Sequence, residues 1–283
     1  LAREPALAVQ PDPESGWTPL LVVCNSRWHQ IDPARGPGLC QVGEALLDAG
    51  ASPDTSIGTV PQFGHCSALY AAAGLANHPA LAELLLKRGA DPDTPAALYH
   101  TAFLGDHVCL RLLLDHGARA EGADALAAAI SVDDTEAVRL LLDAGVDPAK
   151  PLPPQALGES YTPEPLVDAA HAAVEFQCTR DLIALLLERG ADPNARGQDG
   201  RSAHQLAVRQ GRTEVVELLR SHDARDDATH VDRFLGACIR ADRTGAGRHL
   251  ADQPGLLREL TGEDHRAIAH AADHGDVAAV RLM

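Results

Sequence analysis

The sequence predicts an all-α solenoid of stacked helix pairs, and three observations carry that prediction. A Leu-rich run ending in Gly recurs. Leu84-Leu85-Leu86-Lys87-Arg88-Gly89-Ala90-Asp91-Pro92 matches Leu185-Leu186-Leu187-Glu188-Arg189-Gly190-Ala191-Asp192-Pro193. About twenty residues before each stop lies an Ala-rich run, as at Leu69-Tyr70-Ala71-Ala72-Ala73, Leu126-Ala127-Ala128-Ala129-Ile130 and Leu166-Val167-Asp168-Ala169-Ala170. Aromatics are 3% of a chain that is 45% apolar, so a core must come from Leu, Ala and Val. Small aliphatic cores suit closely packed helices; strands draw on β-branched and aromatic residues.

Each element has a local cause. Leu46 to Pro53, Leu112 to Ala118 and Leu140 to Pro148 are further copies of the stop. Gly after a helical run is a left-handed C-cap, and Pro just beyond prevents the helix from resuming. The Ala-rich run is the first helix of each unit, because small residues let two helices approach. A unit is therefore helix, tight turn, second helix, capped exit. One such pair cannot bury its own apolar face, so neighbours must stack.

The unit resembles the ankyrin repeat, whose pattern reads roughly TPLHLAAxxGHxEIVKLLLxxGADVN. Leu98, Tyr99, Ala102, Gly105, Leu110 to Leu114 and Gly117 fit it without a gap, as do Asp124 to Gly145. Asp199-Gly200-Arg201-Ser202-Ala203 resembles the family's β-turn and TP start, and Trp17-Thr18-Pro19-Leu20 opens another unit. Phe234, Ala237 and Cys238, then Ile268, Ala271, Ala272, Gly275, Val280 and Leu282, fit more weakly. The resemblance implies one continuous domain, 1–283, of seven to eight helix-pair repeats with short or irregular β-hairpin fingers. The clearest repeats lie in 16–224 and the weaker ones in 225–283. Met283 falls inside a second helix and Leu1 to Gln10 reads like the tail of an earlier one. Both ends are expected to be truncated mid-repeat or disordered.

The spacing departs from the family's unit of about 33 residues. Gly50 to Gly190 runs in steps of 39, 28, 28 and 45. The units ending at Gly117 and Gly145 should have almost no finger. Extra residues fall at Ser26 to Pro37, with Arg27, Trp28, His29 and Arg35, and in a long finger from Thr55 to Cys66, with Phe63 and His65. They also fall in a Pro-rich loop, Ala149 to Pro163, and at His171 to Cys178, with Glu175 and Phe176. Loops of this kind in compact repeats often carry function, although insertions are also simply tolerated.

Composition limits the partners. The formal charge is -16, and Lys occurs only at Lys87 and Lys150. A grip on phosphate needs clustered cations, so nucleic acid and anionic lipid are not expected partners. No apolar run spans a bilayer, and Leu1-Ala2-Arg3-Glu4-Pro5 is no signal peptide. The six scattered cysteines give no framework and read as reduced, mostly buried thiols of a cytoplasmic protein. The Arg-rich, Ala-rich usage suggests a high-GC bacterial source.

The first helices of ankyrin repeats line a concave groove. Carried over from the family pattern, its exposed positions are Ala71, Gly74 and Leu75; His100, Phe103 and Leu104; Ala128, Ser131 and Val132; Asp168, His171 and Ala172; and Leu206, Arg209 and Gln210. The expected function is non-catalytic binding of a protein with a basic patch, through the groove and the long loops. The candidate binding residues are Arg27, Trp28, Phe63, Tyr99, His100, Phe103, Asp168, His171 and Arg209. The plain alternative is a solvated helix face. A second alternative is a small-molecule binder or unusual enzyme around His100, Ser131, Asp168 and His171, since a carboxylate, an imidazole and a hydroxyl make up a nucleophilic triad. No GxSxG elbow holds Ser131. His270 and His274, four apart on a helix, are a weak zinc pair without a third ligand. No cofactor is expected.

Overall fold

The computed structural model describes residues 4–60, 64–120, 124–150, 152, 168–197, 199–273 and 275–283. They form two compact units, one running to Asp147 and one that begins at Pro148.

In the first unit, α1 (Pro19–Cys24) packs on α3 (Gly36–Asp48), and the short α2 (Trp28–Ile31) lies in the insertion between them. A π-helical segment, Tyr70–Leu75, packs on α4 (Pro79–Lys87). Then come α5 (Pro95–Thr101) with α6 (Val108–Asp115), and α7 (Ala125–Ser131) with α8 (Thr135–Asp143). The expected long finger is a two-stranded antiparallel hairpin, β1 (Ser56–Val60) and β2 (Gly64–Ser67), with Ile57 opposite Cys66. Phe63 lies outside the described residues. The unit that ends at Gly117 has no strand in Ala90–Thr94, as its short spacing predicts.

The second unit pairs α9 (Ala169–Glu175) with α10 (Arg180–Glu188), and α11 (Ala203–Arg209) with α12 (Thr213–Ser221). It continues with α13 (His230–Ile239), α14 (Arg243–Asp252), α15 (Leu256–Glu259), α16 (Gly262–Asp273) and α17 (Val277–Leu282). The expected Pro-rich loop, 149–163, falls mostly outside the described residues.

The predicted helix stops form as their chemistry requires. Gly50, Gly89, Gly117, Gly145 and Gly190 all have φ between 88° and 102°, open only to glycine without strain. At each, the following N–H returns to a Leu carbonyl five residues back: Ala51 to Leu46, Ala90 to Leu85, Ala118 to Leu113, Val146 to Leu141 and Ala191 to Leu186. This is the bond that closes a helix on a left-handed cap. The cores are Leu and Ala, as composition dictates: Leu20, Leu21, Leu81, Leu85, Leu98, Leu110, Leu113 and Leu141 in the first unit, Leu182, Ile183, Leu186 and Leu219 in the second. All six cysteines are thiols and five are buried. Burial pushes Cys24 and Cys109 up to about 12, which keeps them unreactive.

Between the two helices of a pair, the turn N–H returns to an Ala carbonyl: Asp134 to Ala129, Cys178 to Ala173, Arg212 to Ala207, Asp242 to Ala237 and Asp276 to Ala271. The residue before each donor has positive φ, and it is Asp133, Gln177, Gly211, Ala241 and Gly275 in turn. This periodicity corrects one register. Gln177 stands where its neighbours carry Gly211 and Gly275. Counting back, Asp168 takes the place of the capping Ser202, and His171 takes that of Gln205. The turn-side positions of this unit are therefore Ala172, Glu175 and Phe176, four residues later than the sequence alignment placed them.

Candidate functional site

In the first unit, the turns between helices are tied into a ladder of side chains. Gln30 Nε2 donates to the Ala76 carbonyl at 2.7 Å, and His29 Nε2 donates to the Asn77 carbonyl at 3.3 Å. The His29 ring lies 4.2 Å from that of His78. His78 Nδ1 accepts the Leu81 N–H at 3.2 Å and so caps α4. Asn77 Nδ2 donates to Asp106 at 2.7 Å, and His107 Nε2 donates to Asp134 at 2.7 Å. The 26–37 insertion is thus fastened to its neighbours at defined points.

Large apolar side chains stand out along this edge. Trp28 is 54% exposed, Phe103 37% and Val132 50%. The Arg35 guanidinium sits 4.9 Å over the Trp28 ring, a cation–π contact that holds the indole without covering it. Phe103 meets Tyr99 edge-on at 5.0 Å. Arg27 is exposed beside Trp28.

His100 has a different place from the one its groove position implies. Its Nδ1 lies 2.9 Å from the Ala96 carbonyl, and its Nε2 lies 3.2 Å from the Tyr70 hydroxyl. A carbonyl only accepts, so Nδ1 carries the proton and Nε2 accepts from Tyr70. Tyr70 is fully buried, and burial raises its hydroxyl to about 12. Gly74 makes this packing fit: a Cβ there would lie 2.9 Å from the Tyr70 ring and 3.1 Å from His100 Cβ. Tyr99 is half-buried, edge-on to both His100 and Phe103. Ser131 Oγ donates to the Ala128 carbonyl of its own helix at 2.7 Å.

In the second unit, Asp168 and His171 are buried, against the expectation of a shared exposed face. Asp168 is the N-cap of α9 and accepts the Ala170 N–H at 2.8 Å. Burial raises its carboxyl to about 6. His171 is 3% exposed, and among the described residues its two ring nitrogens have no hydrogen-bond partner. Burial lowers its pKa, against a weaker upward pull from Glu175 at 3.7 Å. Gly197 packs on this ring so closely that a Cβ would come within 2.2 Å of it. The pair is therefore a cap and a core imidazole, set by the register correction.

Arg209 is also less free than predicted. Its guanidinium bonds Asp232 at 3.4 Å and Asp264 more closely. Both carboxylates are buried third residues of capping boxes. Asp232 accepts from Thr229 at 2.8 Å, and Asp264 accepts the Thr261 N–H at 2.6 Å. These carboxylates were not among the candidates, although Thr-x-x-Asp before a helix is their signal. Arg209 forms part of the wall of a cleft of about 400 Å³, lined also by Glu175, Leu206, Gln210, Ile239 and Ala267.

The His270 side chain and all of His274 lie outside the described residues. Among the described residues, no group of three His, Cys, Asp or Glu could hold a metal ion. Nor is any described helix long and apolar enough to cross a membrane.

Residues 68–151 match the family model for ankyrin repeats in three copies. No curated protein matches the chain. Among solved structures, the chain is similar to an ankyrin repeat domain from Acinetobacter baumannii: 25% identity, TM-score 0.53, covering 70% of this chain and 100% of that one. The human ASB11 ankyrin repeat domain gives 23% identity and TM-score 0.54 over 75% of this chain and 86% of that one. The ankyrin repeat domain of Bcl-3, of the IkappaB protein family, gives 24% and 0.56 over 76% and 90%. Three matched repeats over 68–151 and the fold of the described helices together show ankyrin repeats in that stretch and an ankyrin-repeat fold.

Proposed function

We propose that the chain is a non-catalytic binding module for a partner protein, acting in the cytoplasm through the turn edge of its first unit. Ankyrin repeat domains are generally protein–protein interaction modules. The observation that carries the finer reading is the row Trp28, Phe103 and Val132, exposed on turns already bonded to one another. Rigid aromatic anchors lose little entropy on docking, and such residues dominate interface energetics. Arg27 and Tyr99 belong to the same surface. The -16 charge favours a partner with a basic patch, chiefly through association rate. The catalytic alternative has less support. His100 is engaged with Tyr70, Ser131 with its own helix, and Asp168 with a cap.

The test is affinity capture with the wild-type chain and a Trp28→Ala/Phe103→Ala variant, followed by a titration of the captured protein. Both side chains are exposed, so the variant should fold. The expected result is one discrete partner whose affinity falls at least ~10-fold in the variant. Equal capture by both forms would remove this edge from the interface.

A further inference from the structure

The second unit holds a cleft that the turn-edge interface leaves unused. Its floor is apolar: Leu206, Ile239, Ala267 and Ala271. Its rim carries the carboxylates of Glu175, Glu263 and Asp276. At about 400 Å³ it falls in the range that encloses a small ligand or one long side chain with its backbone.

The cations nearby do not cancel the rim. Arg209 is spent on two buried carboxylates, Asp232 and Asp264, so that trio is itself net negative. Arg266 points largely to solvent and reaches Glu263 only at 3.7 Å; Arg201 reaches it at 3.5 Å while bonding Asp199 at 2.6 Å. Among the described residues, the ion-pair partner of Glu175 is the buried imidazole of His171, at 3.7 Å. Asp276 uses Oδ1 to cap α17 through Ala279 N–H.

Gln210 closes one wall. Its Nε2 donates to the Val174 carbonyl at 3.1 Å, which fixes the orientation of the amide. Its Oε1 is shut off from solvent, so the acceptors open to a ligand are the carboxylates of the rim.

We propose that this cleft receives an arginine side chain of the partner protein, its methylenes on the apolar floor and its guanidinium among the rim carboxylates. The assignment rests on the binding-module reading above and names the partner chemistry for a second contact. Arginine suits the cleft better than lysine. Its planar fork presents five N–H donors to acceptors spread around a rim, whereas an ammonium offers three from one point. The guanidinium is also more weakly hydrated, so entering a partly apolar cleft costs it less.

The test is an NMR titration of the whole chain with three probes: N-acetyl-arginine amide, N-acetyl-lysine amide and N-acetyl-citrulline amide. The arginine probe should shift the backbone signals of Leu206, Gln210, Ala267 and Ala271, with a Kd of about 1 mM, as suits so small a ligand. The lysine probe should bind at least ~3-fold more weakly and the citrulline probe at least ~10-fold, since it keeps the shape and loses the charge. Glu175→Gln/Glu263→Gln, two exposed positions, should weaken the arginine probe ~10-fold without changing Tm. Equal binding of citrulline, or no shift at these four residues, overturns the proposal. If the turn-edge variant loses its partner while the arginine probe fails, only the cleft assignment falls. If the probe binds while the turn-edge variant captures normally, the cleft stands and the turn-edge reading falls.

Discussion

The two units of this chain weight the same kinds of contact differently, and guanidinium–carboxylate pairs such as Arg88–Asp48, Arg111–Glu136 and Arg119–Asp93 tie repeats in the first as well. In the first, neighbouring turns are joined mostly by amide and imidazole hydrogen bonds: Gln30 to Ala76, His29 to Asn77, Asn77 to Asp106 and His107 to Asp134. In the second, guanidinium–carboxylate pairs take over: Arg209 with Asp232 and Asp264, Arg201 with Asp199, Arg196 with Asp227, and Arg220 and Arg233 with Asp226. The first unit presents Trp28, Phe103 and Val132 to solvent; the second buries the candidates Asp168 and His171, and His204 as well. The comparison teaches that residues of catalytic type can be structural, and that exposed hydrophobics occur in both units, Phe176, Leu257 and Val277 in the second among them.

The comparison can be broken most severely at a glycine. A Cβ on Gly236 would lie 2.0 Å from the Val208 carbonyl oxygen, and backbone cannot yield as a side chain can. Gly236→Ala should cost more than ~4 kcal/mol and unfold the second unit first. Urea denaturation followed by helix signal should then show an early step absent from wild type. An unchanged single transition would contradict the packing.

Next in size is Arg209→Met, which leaves two buried carboxylates without their cation. The expected loss is about 3–5 kcal/mol at pH 7. For Asp264, burial raises the pKa, but the Thr261 bonds and Arg209 outweigh it and hold the carboxyl below its usual value. A depressed carboxylate contributes stability above its unfolded pKa of about 4 and loses it as pH falls through the folded value. The gap between variant and wild type should therefore narrow below about pH 4. A gap independent of pH would mean the loss is packing alone.

Smaller and opposite in sign is His204→Leu. His204 is 1% exposed in the core, and among the described residues neither ring nitrogen has a hydrogen-bond partner, the Asp227 carboxylate lying 3.8 Å from Nδ1. Removing the unsatisfied polar group should raise stability by about 1 kcal/mol. Burial lowers the His204 pKa, so the unfolded chain takes up its proton first as pH falls below about 6.5. The wild type should thus lose stability from pH 6.5 downward, and His204→Leu should lose less over that window. Thermal melts at pH 7 and 5.5 read this directly.

The smallest effect on stability belongs to the binding edge. Trp28→Ala/Phe103→Ala should change unfolding free energy by under ~1 kcal/mol, because both side chains stand partly in solvent, 54% and 37% exposed. A larger loss would make these aromatics part of the core and remove the basis of the contrast.

Much of the fold was legible because its causes are local. The Gly stops needed only a left-handed residue after a Leu run, and Thr18-Pro19 starts α1 with the Thr18 side chain accepting from Leu21 N–H. The site was less legible. The Ala-rich stretch at 166–174 resembles itself when shifted, and the turn that fixes its register carries Gln177 in place of glycine. Asp168 and His171 were therefore read as surface residues. Arg209 was read as free because its partners lie 23 and 55 residues away, beyond any local pattern. The exposure of Trp28 was foreseen from its insertion; the bonds that hold that insertion to Ala76 and Asn77 were not.

The most direct test of the account is the titration of the imidazoles by long-range ¹H–¹⁵N NMR. Burial of His171 and His204 lowers both, so both should titrate with midpoints below the ordinary 6.5. His100 should show the tautomer protonated at Nδ1, bonded to the Ala96 carbonyl. That result would fix all three as structural and leave binding to the exposed edge. A midpoint for His171 at or above 6.5, or a His100 protonated at Nε2 alone, would return these residues to solvent or to chemistry and contradict the account.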